Sequence, residues 1–122
     1  MIVDSISRSE GKLLRRLAGV AYERELAREL DRLSAAFDKW KEKQLSAHDV
    51  SAAIHEFHNG VARDLYVLYN RIHPAQTVPR AVAAGLLAEH EVPADLLLKL
   101  AKTLDFYRSE FATVERESSP IP

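Results

Sequence analysis

Cysteine is missing from the chain altogether, and with it go disulfide staples, thiolate nucleophiles, thiolate zinc sites and iron–sulfur ligation. Glycine is scarce, with four residues, and there are five prolines, so the punctuation that many short strands need is lacking. Aromatics are 7 % of the chain, and no stretch alternates β-branched or aromatic side chains with polar ones as a half-buried strand would. Charge of one sign is lacking too: seventeen Lys and Arg stand against eighteen Asp and Glu, a net charge of −1. No global field therefore draws the protein to nucleic acid or an anionic membrane, and such contact would need a local patch. No apolar run approaches the ~20 residues that span a bilayer. The opening residues, Met1-Ile2-Val3-Asp4-Ser5, put an acid where a secretory leader carries positive charge. The expectation is a cytoplasmic protein with no membrane association.

What is present is a helical vocabulary. Ala, Leu, Glu, Lys and Arg dominate, and 122 residues with 47 % hydrophobic content suffice for one self-supporting domain, 1–122, but not comfortably for two. Ser7 with Glu10 three residues on has the form of a capping box. The apolar pattern behind it runs without a breaker to about Lys43, which predicts a very long N-terminal helix over about 8–43. Ser46 caps a second helix over 46–72, with Val50, Ile54, Phe57, Val61, Leu65, Leu68 and Ile72 on one stripe. Pro79 fits the first turn of a short helix over 79–89, and Pro93 opens a last one over 93–117. Ser118 to Pro122 reads as a frayed tail. The predicted fold is all-α, a bundle of about four helices.

The first helix changes face along its length. Leu26, Leu30, Leu33, Phe37 and Trp40 share one stripe, while Leu13, Leu14, Leu17, Ala18 and Ala21 point a third of a turn or more away. Either the helix kinks near Gly19, or it stays straight and its two halves serve different neighbours. The second is the favoured expectation, with residues from Tyr22 onward packed on the chain's own core. Leu13, Leu14, Leu17 and Ala21 would then form the interface of a homo-oligomer, a dimer in the simplest case.

Chemistry is thinly signposted. Three of the five histidines, His48, His55 and His58, fall close together, but His48 and His55 are two turns apart, about 10 Å along a helix, too far for one ion. No acid stands three residues before any histidine, as a di-iron bundle would need, and His55-Glu56-Phe57-His58 misses the zinc-protease spacing. No phosphate loop or serine elbow occurs. Neither a catalytic residue, a metal ligand set nor a cofactor is assigned.

The more informative feature is the back of the second helix, where His48, Ala52, His55, Asn59, Ala62 and Tyr66 align with Arg63 on the flank. A solvated helix face is usually richer in Lys and Glu, so this one is expected to touch something: another helix, a second subunit or a ligand. The candidate ligand or partner residues are His55, His58, Asn59, Arg63 and Tyr66. Arg8, Lys12, Arg15 and Arg16 form a basic strip on the first helix, a slender basis for nucleic-acid binding because no aromatics interleave it. The segment from Arg80 to Leu104 has a helix–turn–helix cadence, but its second helix offers only Lys99 and Lys102 as outward readers. The expectation is a non-catalytic helical protein–protein interaction module that self-associates. The alternatives are a small ligand- or metal-binding bundle or enzyme using the histidine face, and a weak nucleic-acid binder using the basic strip.

Overall fold

The first helix begins where the capping box places it. The Ser7 hydroxyl accepts from the Glu10 backbone N–H at 3.1 Å, and the Glu10 carboxylate accepts from the Ser7 N–H at 2.9 Å, so two orphan donors are satisfied together. In the computed structural model, which describes residues 6–118, α1 then runs unbroken over Arg8–Lys41, about 51 Å at 1.5 Å per residue. Gly19 lies inside it without interrupting it. Lys43 takes a left-handed φ of 65°. The Gln44 N–H then donates to the Lys39 carbonyl and the Lys43 N–H to that of Trp40, which closes the helix end in a Schellman turn. The remaining elements are α2 (Ala47–Asn59), α3 (Val61–Arg71), α4 (Pro74–Ala83), a 3-10 turn at Glu89–Glu91, α5 (Ala94–Lys99) and α6 (Ala101–Ser118). The fold is all-α, with no strand among the described residues. Of the expected frayed tail, the part after Ser118 lies outside those residues.

Three expected boundaries differ for local reasons. The expected helix over 46–72 is two helices, broken at Gly60, which has φ −104° and ψ −102°. A Cβ built there would sit 2.7 Å from the Glu56 carbonyl oxygen, so the bend depends on the missing side chain. The expected 79–89 helix starts earlier, because His73 caps it and Pro74 takes its first position. His73 Nδ1 accepts from the Ala75 N–H at 3.0 Å, and Pro79 is an interior residue. That helix ends at Ala83 because Gly85 turns left-handed at φ 78°. The expected 93–117 helix is jointed at Leu100, whose N–H donates to the carbonyls of both Leu96 and Leu97.

Packing divides the molecule into a body and an arm. In the body, α4 packs on both α1 and α6. The core contains Leu14, Leu17, Ala18 and Ala21 of α1 with Val78, Val82, Leu87, Leu96, Leu100 and Leu104 from the later elements. In the arm, α2 and α3 fold back on the second half of α1 and on each other. Only Val50 and Leu65 are buried there.

This distribution reverses the expectation for α1. Leu14 and Ala21 have no exposed surface, Leu17 is buried, and Leu13 packs against the same cluster from its edge. These four residues are therefore consumed within the chain and are not free to meet another copy. The physical reason is size: Ala18 and Ala21 are small enough to let α4 approach closely and pack Val78 and Val82 into the same cluster. The stripe of Leu26, Leu30, Leu33, Phe37 and Trp40 was expected to be core. It has only the α2–α3 strand of helix to cover it, and Leu30 stays 47 % exposed and Trp40 44 %.

Candidate functional site

The break at Gly60 positions the site. By ending α2 and starting α3 at an angle to it, the bend opens a cleft of about 590 Å³ between α1 and the α2–α3 joint. The apolar wall comes from Tyr22, Leu26 and Leu30 of α1 with Phe57 and Ala62 opposite. His58, Asn59, Arg63 and Tyr66 complete the lining. Four of the five residues singled out from sequence are thus brought together at one cleft. His55 is not part of it: Asn59 Nδ2 donates to His55 Nε2 at 3.0 Å, which holds that imidazole along its own helix.

None of the lining residues is acidic. Arg63 is exposed and makes no ion pair among the described residues, so the cleft presents one uncompensated cation beside an apolar wall. A smaller depression, lined by Phe37, Trp40, Ala47, Val50, Ser51 and Ile54, lies at the far end of the arm. Ile54 there is 43 % exposed, and Tyr66 at the cleft is 61 % exposed. The two hollows follow the same α1 stripe and the same side of α2, so they form one open apolar face along the arm.

Behind the cleft a polar seam fastens arm to body. Tyr22 stacks on Tyr69 with ring centroids 4.8 Å apart and planes 9° from parallel. The Tyr69 hydroxyl donates to Glu25 Oε1 at 2.7 Å. Arg80 grips the same carboxylate with both guanidinium nitrogens, at 3.0 and 3.2 Å. Burial alone would raise the Glu25 carboxyl, but the hydrogen bonds from Arg80 and Tyr69 prevail and hold it below the ordinary carboxylate range. Burial first, and then the carboxylate it faces, push the Tyr69 phenol well up. The seam is thus an ionised carboxylate clamped by a cation and a neutral phenol, an arrangement for holding three helices and not for moving protons.

A second clamp serves the body. Arg24 pairs with both Glu91 oxygens at 2.8 and 2.9 Å and also donates to the Leu86 carbonyl. The hydrogen bonds from Arg24 and from the Ala88 N–H lower the Glu91 carboxyl to about 2.

Sequence reasoning missed the cleft's wall. The pattern alone puts Tyr22, Leu26 and Leu30 in the core, and no local signal marks them as the wall of an open cleft. Among the described residues no group of His, Asp and Glu comes together that could hold a metal ion, and no helix is long and apolar enough to cross a membrane. Arg8, Lys12, Arg15 and Arg16 are all exposed and lie on the body, away from the cleft. Compared with known protein families, with curated proteins and with solved structures, the chain matches none of them.

Proposed function

We propose that the protein is a non-catalytic helical interaction module that self-associates through the open face of the arm. The observation that carries this reading is the row Leu30, Trp40, Ile54 and Tyr66, each more than two-fifths exposed along a helical hairpin that has no second layer. A single-layer hairpin of this kind is half of a four-helix bundle, and a second copy related by a two-fold axis would supply the other half. Covering what remains exposed of each large apolar side chain, roughly half, would contribute about 1 kcal/mol.

The test is hydrodynamic. In sedimentation equilibrium the wild type should run at twice its monomer mass at micromolar concentration, and the double variant Leu30→Glu with Ile54→Glu should run as a helical monomer. A wild type that stays monomeric at the highest concentrations reached would sink the reading.

A further inference from the structure

The inner cleft also carries chemistry that a helix-on-helix contact does not use. An apolar wall of Leu26, Leu30 and Phe57 shares its lining with Arg63, which makes no ion pair among the described residues. Asn59 and Tyr66 add hydrogen-bonding groups on the same rim. Its volume of about 590 Å³ lies within the range of small-molecule sites, which pair a mostly apolar wall with a few placed polar groups. A cation in a largely apolar lining that holds no carboxylate selects for a ligand that joins negative charge to apolar surface.

We infer that the cleft binds a single-chain anionic amphiphile, with its hydrocarbon tail along Leu26, Leu30 and Phe57 and its carboxylate on the Arg63 guanidinium. Arg63 is the natural receptor because its planar fork can donate two parallel hydrogen bonds to a carboxylate. Tyr22 gives the trough a fixed floor, since its stack on Tyr69 ties it to the seam. Its lining residues all come from one chain, and Leu30 and Tyr66 also stand in the face proposed for self-association, so an amphiphile and a second copy would compete for them.

Titration with dodecanoate and dodecyltrimethylammonium, each below its micelle concentration, and with dodecanol below its solubility limit tests the inference. Dodecanoate should bind about fivefold or more tightly than dodecanol, as suits a charge-assisted bond at a half-open site, and the cationic amphiphile should bind weakest. Arg63→Glu should remove the preference for dodecanoate. Arg63 is exposed, so an unchanged circular dichroism spectrum will show that the variant folds. Equal affinity for the three head groups, undiminished dodecanoate binding by Arg63→Glu, or no binding at all would each overturn the assignment. Repeating the titration on Ile54→Glu, which lies outside the cleft, separates the site from self-association: the head-group preference should persist there in a protein that no longer dimerises.

Discussion

The two halves of α1 are built from the same kinds of residue and meet opposite fates. In the body, Leu14, Leu17, Ala18 and Ala21 are enclosed by α4, α5 and α6, and Arg24, Arg28, Arg80 and Lys99 reach across to other elements with hydrogen bonds. In the arm the picture is apolar and local. Every side-chain hydrogen bond made by described residues 29–68 joins partners no more than four residues apart. The body encloses a continuous core and ties its elements together with long-range ion pairs, although Leu98, Phe106 and Val114 stay exposed on its surface. The arm does neither, and its fixed shape comes from the seam at its base and from side-chain contact along one stripe. Elements held this way occupy the low end of a protein's stability range and serve as binding surfaces for that reason.

The sharpest way to break the comparison is to cut a large side chain from each half. Leu14→Ala leaves a cavity in a core with no exposed surface at that position and should cost about 3 to 4 kcal/mol in denaturant unfolding. Leu30→Ala should cost the isolated chain less than about 1 kcal/mol, its effect falling on the dimer instead. Equal costs at low protein concentration would mean that the two halves do not differ.

Next comes the seam. Arg80→Met strands the Glu25 carboxylate in a half-buried site and should cost about 2 to 3 kcal/mol. Hydrogen exchange should then show α2 and α3 losing protection before α4 and α6. Gly60→Ala should cost about 1 to 2 kcal/mol, because its Cβ meets a backbone oxygen at 2.7 Å. It should also narrow the cleft and weaken dodecanoate binding while leaving the body's exchange rates alone.

The smallest effect concerns acid. Glu91 has its carboxyl lowered from the ordinary 4.5 to about 2. The Arg24 clamp therefore contributes its full stabilisation above the unfolded value and loses it as pH falls through the folded one. The thermal midpoint of wild type should exceed that of Glu91→Gln at neutral pH, and the gap should close between about pH 4.5 and 2. Because the clamp lies wholly in the body, the dissociation constant of the proposed dimer should not follow the same curve.

Much of this architecture was legible in advance. The capping boxes at Ser7 and Ser46, the length of α1 and the change of face along it are all local patterns. His58, Asn59, Arg63 and Tyr66 fall within nine residues of sequence, so they stay near one another even across the bend at Gly60 that one continuous helix would not have. Which half of α1 the body would claim was not legible, since that turns on how closely α4 can approach Ala18 and Ala21, a contact spanning some sixty residues of sequence. The bend at Gly60 was readable in principle from the Asn59-Gly60 pair, a turn signal that the unbroken apolar stripe around it masked. The Glu25, Tyr69 and Arg80 seam joins three helices and has no local signature at all.

Trp40 offers the most direct measurement of the central claim, because it is the only tryptophan and stands at the open end of the arm with 44 % of its surface exposed in the single chain. Its emission maximum, followed from nanomolar to high micromolar protein, reports whether a second copy covers that face. A shift to shorter wavelength with rising concentration, missing in the Leu30→Glu and Ile54→Glu double variant, is the expected result. Emission that stays at the solvent-exposed position over the whole range would contradict the account.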